Sequence, residues 1–519
     1  MFSTAYRRSR FDFDDTRIIA RLEPIVSVIG NSLYSTDAQV ISSALKAMAQ
    51  IVKCPLKAIE RSMPVYIKQT MDIIKSAGST EAETVQVAFK SLSSVIRDCQ
   101  SAQMKEKDLT FLLELLSPDL EEPTRQSSAF ALLRAIISRK FIVPEIYDLM
   151  DNVSRIMVTS QSTQVQELCR SVLLQFLLDY PQGKGRLNQQ IAFLVKNLSY
   201  VYESGRISVM ELLSASISKF NDDIIETYAE MLFIALVMVV ANDDSTKCRE
   251  MGAQLTKALL LRLTETQRAT VLSHTHSWCT QEENKALVRV SLLVYGLALD
   301  ALQSGVQPHL SVILDDLNTK TNLTINTDDD TPHDNPEGLE WQVPYQALST
   351  ISKVFQVFPE TTSQMDKVGW TNIVKLLLYP HTWVRVAAAR LVGTLFSVST
   401  LGPPDNNLGD ESPLSLVGLR GIADASSLQL KSENLDSSLS VQIVKNLLWT
   451  GKCFYEIPLP SVKDEENEGS DVLDDPEADE AEMPESSDHP LPWLFSRLSY
   501  QARSALISRR SKSTEKVSQ

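Results

Sequence analysis

No CxxC pair occurs anywhere in this 519-residue chain. Its six cysteines, Cys54, Cys99, Cys169, Cys248, Cys279 and Cys453, stand one at a time inside apolar segments or at their ends. That spacing suggests neither a zinc ribbon nor a disulfide framework, and a reducing compartment is the expected setting. Missing too are a GxSxG elbow, an HExxH helix, a Walker loop and the Rossmann glycine pattern, and the six histidines have no consistent carboxylate or nucleophile neighbour. An interaction scaffold is therefore favoured over an enzyme, with no cofactor, metal or small-molecule substrate expected. Hydrophobic runs are short: the strongest, Met231 to Ala241, is about half what a bilayer crossing needs. The leading MFSTAYRRSRFDFDD has positive charge with no apolar core behind it, unlike a secretory signal. A soluble intracellular protein with no membrane partner is the expectation. Glycine (17) and proline (22) are modest for this length.

The formal charge of −15 is mostly local. Thirteen acids and no base lie between Asp464 and Asp488, which leaves −2 for the remainder. A body that is neutral in sum can still carry one basic and one acidic ridge, and sequence alone does not say which face carries which.

What is present is a period. In Tyr379 to Val398, YPHTWVRVAAARLVGTLFSV, Pro380 stops the preceding element, Thr382 can cap, and Val384, Ala387, Ala388, Leu391, Val392, Leu395 and Phe396 recur at helical spacing. Only Arg385 and Arg390 break the apolar surface. A helix so apolar around its circumference must be covered on two sides, which is the position of the inner helix in an α-solenoid. Similar helices begin near Thr36, Ala82, Pro123, Thr163, Arg206, Ser245, Asn284, Pro344 and Thr382. The steps are about 40 residues, apart from a longer first one and one lengthened by about half a repeat near 300 to 340. Two helices per unit, no strand pattern and this period predict an all-α, HEAT/armadillo-like α-solenoid of about nine to eleven helix pairs. The alternative is an irregular helical bundle, which has no reason to keep a fixed period.

The organisation expected from this is a polar lead at 1–14, a solenoid over 15–400 with a loop insertion at about 322–344, an irregular loop at 401–436, and a last solenoid helix region at 437–455. An acidic disordered linker at 456–489 and an amphipathic basic helix and tail at 490–519 complete it. The first helix, TRIIARLEPIVSVIGNSL, is apolar on more than one side, as if it packs on a preceding solenoid portion or a partner. Three local patterns are weighed and set aside. Gly183-Lys184-Gly185 lacks Walker spacing and a preceding strand, so it reads as a turn. Asp328, Asp329 and Asp330 lack the EF-hand glycine and terminal glutamate, so they read as a solvated turn. In His274-Thr275-His276-Ser277-Trp278-Cys279, His276 and Cys279 share a helix face but no fourth ligand is near, so packing is the better account than a metal.

The block FLVKNLSYVYESGRISVMELLSASISKF at 193 to 220, with LCRSVLLQFLLDYPQGKGRLNQQ at 168 to 190, resembles the C-terminal region of the very large HEAT-repeat scaffold of the small-subunit processome, the DRIM (down-regulated in metastasis) family. MPVYIKQTMDIIKSAGSTEAETVQVAFKSLSSVIRDC at 63 to 99 and YPHTWVRVAAARLVGTLF at 379 to 396 are similar to it as well, and the likeness spans roughly residues 40 to 450. Family members are several times longer and finish in a long Lys/Arg-rich helix, of which only SRRSKSTEK at 508 to 516 remains here. The resemblance implies a non-enzymatic nucleolar scaffold that holds processome proteins, the U3 small nucleolar ribonucleoprotein and pre-rRNA during processing to small-subunit rRNA. A different HEAT adaptor, a nuclear transport receptor or a phosphatase scaffold, is the alternative; the nearly neutral body weakens the transport reading.

The tail supplies the candidate contact residues. In PLPWLFSRLSYQARSALISRR at 490 to 510 an apolar stripe is flanked by positive charge, which suits capture by a partner groove or a ribonucleoprotein surface. Trp493, Phe495, Arg497, Arg503, Arg509, Arg510 and Lys512 are the residues expected to touch partner or RNA. Folding back onto the solenoid's own end is the competing expectation.

Overall fold

The computed structural model describes residues 15–183, 185–322, 341–362, 367–399, 412–430, 435–457 and 489–501. Among them there are helices and turns and no strand. The chain divides into two compact units, Met1–Arg262 and Leu263–Gln519.

The first unit holds six helix pairs: α1 (Thr16–Ser32) with α2 (Ala38–Ile51), α3 (Lys57–Ser76) with α4 (Glu83–Asp98), α5 (Glu106–Asp119) with α6 (Gln126–Ser138), α7 (Glu145–Thr159) with α8 (Thr163–Asp179), α9 (Arg186–Asn197) with α10 (Glu203–Lys219), and α11 (Asp222–Asn242) with α12 (Thr246–Arg262). The second holds four: α13 (Glu265–Cys279) with α14 (Lys285–Leu302), α15 (Leu310–Thr321) with α16 (Gln342–Val357), α17 (Lys367–Leu376) with α18 (Thr382–Val398), and α19 (Leu416–Gln429) with α20 (Ser437–Tyr455). Among the described residues these ten pairs fall within the expected number, and nine of the ten even helices, α2 to α18, start within a few residues of the nine positions read from the sequence.

Each unit is two layers deep. Even helices stack each on the next, α2 through α12 in the first unit and α14 through α20 in the second. Odd helices lie over them, with α1 on α3, α5 on α7, and α13 through α19 in succession. An even helix is thus sandwiched between two even neighbours and its own partner, which is why its sequence is apolar nearly all round. In α18, Val384, Ala387, Ala388, Ala389, Leu391, Val392, Leu395 and Phe396 are all buried. Its Gly393 sits so close to Gln442 of α20 that a Cβ there would collide with the amide.

The period is written in the hydrogen bonds as well. Side-chain bonds between helices join residues one repeat apart: Tyr180 Oη donates to the Phe141 carbonyl, 39 residues away, Arg139 to that of Cys99, 40 away, and Arg262 to that of Phe220, 42 away. In the second unit Ser352 and Thr394 pair across 42 residues.

Two expectations need correction. The span 401–436, read as an irregular loop, contains α19, whose Leu419, Ile422 and Ala423 are buried and whose Ser415 caps the start. Gly418 and Gly421 and a run of serines hid the helical spacing; Gly418 is required because a Cβ would meet the Ser412 carbonyl at 2.6 Å. α16 begins at Gln342, beside the end expected for the insertion at about 322–344. Second, the run at Met231 to Ala241 belongs to a 21-residue helix. By length and composition α11 and the Lys285–Thr321 stretch reach what a bilayer crossing needs, and their most apolar windows are 44% and 56% buried inside the fold, α11 against α12 and α14 against α16. The expected 1–14 lead, the Asp328–Asp330 turn and most of the acidic 456–489 segment lie outside the described residues.

Candidate interaction surface

One polar device recurs at five of the turns from an odd helix into its even partner. The fourth residue of α4, α8, α10, α12 and α18 is Gln86, Gln166, Arg206, Arg249 and Arg385, and each donates to the backbone carbonyl six residues before it: Thr80 at 2.7 Å, Ser160 at 2.8 Å, Tyr200 at 2.9 Å, Asp243 at 2.7 Å and Tyr379 at 2.9 Å. Those carbonyls sit in the turn and have no helical partner, so the side chain satisfies what the turn leaves open. Arg206 also reaches one repeat on, to Asp243 at 2.9 Å and Asp244 at 2.6 Å. The Arg206 and Asp243 side chains are only 7% and 4% exposed. A groove between α9 and α11, lined by Val195, Leu198, Ala235 and Met238, has this ion pair for its polar end. Arg206, Arg249 and Arg385 are therefore occupied by backbone, and Arg385, which breaks the apolar pattern of α18, is a turn clasp.

The residues weighed as a metal pair are placed apart in role. His276 Nδ1 lies 2.9 Å from the Asp316 carboxylate, which also accepts from Tyr295 Oη at 2.6 Å. Burial raises the Tyr295 phenol well above its usual range. Cys279 is buried, with its thiol raised by burial. Among the described residues no three metal-ligating side chains converge. Gly185, from the Gly-Lys-Gly segment, adopts φ +84° as the residue before α9, a conformation glycine takes readily.

Three of the seven candidate contact residues of the tail are described. Residues 490–501 are helical and lie on α19 and α20: Arg497 Nε donates to Asp424 Oδ1 at 2.6 Å, the Arg420 guanidinium stands 5.6 Å over the Trp493 ring, and buried Leu494 approaches Gly451. Phe495 is 63% exposed. Arg503, Arg509, Arg510 and Lys512 lie outside the described residues.

The even layer of the second unit is unlike the rest. Apart from buried Arg385, the charged side chains of α14, α16, α18 and α20 are six cations, Lys285, Arg289, Lys353, Arg390, Lys445 and Lys452, and one carboxylate, Asp300, which pairs with Lys353 at 2.8 Å. Of the odd helices of the unit, α13, α15 and α19 carry both signs and α17 carries lysines alone. At the start of α16 and α18 an aromatic cluster opens on this basic layer. Trp341 and His381 stack with centroids 4.1 Å apart and 5° between planes. Trp383 stacks on Trp341 at 6.5 Å and meets Tyr345 edge-on at 6.1 Å, yet remains 58% exposed. Arg289 of α14 donates to Gln342 beside it at 2.9 Å. Burial and then the Arg385 charge hold His381 below its ordinary value, so its ring stacks as neutral imidazole near neutrality. Sequence reading missed this cluster: its members lie about a repeat apart, and only a known helix register brings them together. The signal available was the aromatic at the first turn of two consecutive even helices.

No protein-family model matches the sequence. The chain is 32% identical over 467 residues to U3 small nucleolar RNA-associated protein 20 of Schizosaccharomyces pombe, covering 86% of this chain and 18% of that protein. It is 32% identical over 449 residues to the protein of the same name from Saccharomyces cerevisiae, covering 86% and 17%. The chain thus spans less than a fifth of the length of the curated relatives it matches. Among solved structures, Kap95p with RanGDP is 11% identical with a TM-score of 0.43, covering 84% of this chain and 51% of that one. Importin beta is 12% identical with a TM-score of 0.39, covering 84% and 52%. A designed armadillo repeat protein is 14% identical with a TM-score of 0.28, covering 44% and 98%. At these TM-scores the fold assignment stands on the helix layers themselves.

Proposed function

The chain is homologous, over 86% of its length, to a segment of U3 small nucleolar RNA-associated protein 20, the family its helix-and-turn wording resembles, and from that premise we propose that it is a non-enzymatic helical-repeat scaffold of the small-subunit processome. It works in the nucleolus with the U3 small nucleolar ribonucleoprotein and pre-rRNA, supporting processing toward small-subunit rRNA. The observation that carries this reading is the extent of the likeness. An alignment of 467 residues is longer than either unit, so it runs through both. The chemistry agrees: the Arg and Gln clasps are spent on turns and repeat contacts, and on the even helices of the second unit cations outnumber carboxylates. Such a surface holds several partners by many weak contacts whose sum is large.

The test is purification of the tagged chain from its native cells, with mass spectrometry of the associated proteins and sequencing of the associated RNA. Enrichment of processome proteins and small-subunit rRNA precursor is expected. Recovery of import cargoes or a phosphatase, with precursor at background, would leave the helical repeat and remove the function.

A further inference from the structure

We propose that the even layer of the second unit is a binding face for single-stranded RNA, with Trp383 as the platform on which an unpaired base stacks. The proposal rests on the ribonucleoprotein reading above and deepens it by naming the ligand and the place. Three observations converge on it. The first is charge: with −15 on the whole chain, α14, α16, α18 and α20 still carry five cations besides the Lys353–Asp300 pair and buried Arg385, and no other carboxylate. A run of cations over adjacent helices matches a phosphate backbone.

The second is the aromatic cluster. An exposed tryptophan on a mobile side chain would lose entropy on binding, but Trp383 is held by Trp341 on one side and Tyr345 edge-on, so the exposed indole is already oriented. Rigid aromatic area at low entropic cost is what base stacking uses, and any base has a face to offer. His381 stacks on Trp341 as well, with centroids 4.1 Å apart. The ring centroids are too close together to leave room between them for a side chain or ammonium group, so what is offered is an outer face, which suits a flat base.

The third is register. Arg390 is exposed and lies seven residues after Trp383 on the same helix face, about 10 Å along the axis. Arg289 lies two helices away from α18, next to the start of α16. Cations on either side of the platform place phosphates to each side of a stacked nucleotide. Duplex RNA cannot present an unstacked base, which makes the single strand the fitting ligand.

The experiment uses the full chain and a fluorescein-labelled oligouridylate of about 15 nucleotides, with a duplex of equal length for comparison. Wild type should bind the single strand more tightly than the duplex. Trp383→Ala should weaken single-strand binding by about tenfold, Trp383→Phe should restore most of it, and duplex binding should be unchanged in both. Arg390→Gln should reduce the salt dependence by roughly one phosphate contact. Unaltered single-strand affinity in Trp383→Ala, equal affinity for duplex, or binding of a proline-rich peptide in place of RNA overturns the platform. Circular dichroism of each variant separates loss of the platform from loss of fold. Co-purification of processome proteins with Trp383→Ala distinguishes the two readings: if the proteins still come and RNA affinity is unchanged, the platform fails while the scaffold stands.

Discussion

At the level of single residues, the clasps set the largest expected effects. Arg206 and Asp243 are both buried, and removing one charge leaves the other without compensation in a poorly solvated site, at a cost of about 3–5 kcal/mol. Arg206→Met is therefore expected to destabilise the first unit strongly in urea unfolding, and adding Asp243→Asn should return part of the loss. The thiols follow from burial alone. Cys54 is pushed up to about 11 and Cys169 to about 12 by desolvation, and all six cysteines are buried. Native protein at about pH 8 should react with a thiol reagent far more slowly than the urea-unfolded chain. His381 gives the pH dependence. Its folded value lies below the ordinary 6.5, so in acid the unfolded chain takes up a proton that the folded chain resists. The stability it contributes is present above about pH 6.5 and is lost as pH falls through that value toward the folded one. Thermal unfolding of the second unit should soften on acidification, and less so in His381→Phe.

Single helices show what was and was not legible in the sequence. Even helices were legible because a helix covered on three sides must be apolar over most of its circumference, and such helices recur at a fixed period; hence Thr163 and Thr382 were read as starts and are the first residues of α8 and α18. α19 was not, because Gly418, Gly421 and its serines look like turn residues until Leu419 and Ile422 are seen to be buried. The clasp was visible in principle as a recurring Arg or Gln three residues into the even helices, but its partner is a carbonyl, which sequence does not display. The basic layer required knowing which four helices share a face. For the tail, an apolar stripe with basic flanks is compatible with two different mates, and the helix at 490–501 lies on α19 and α20. Close approach between helices also has a mutational signature. At Gly205 in α10 a Cβ would stand 2.5 Å from the Val158 carbonyl of α7 and 2.6 Å from the Tyr200 ring. Gly205→Ala, harmless in an isolated helix, should force α10 and α7 apart and cost about 1–3 kcal/mol in the unfolding of the first unit.

Over the whole molecule, stacked repeats exchange energy mainly with their neighbours, so cooperativity is a local property that weakens with distance along the stack. Each compact unit has its own buried layer, from Leu45 to Leu260 in one and from Val271 to Phe454 in the other. The sequence supplies an unplanned reporter of this division. All six tryptophans, at 278, 341, 370, 383, 449 and 493, lie in the second unit and none in the first. Far-ultraviolet circular dichroism reads helix in both units, whereas tryptophan fluorescence reads the second alone. In urea, wild type is expected to show two steps by circular dichroism, with fluorescence following only one of them. Arg206→Met or Gly205→Ala should then shift the circular-dichroism step that fluorescence does not see and leave the fluorescence midpoint in place. Coincident shifts of both signals would mean that the two units fold as one cooperative body, and repeat coupling would have to extend the full length of the chain.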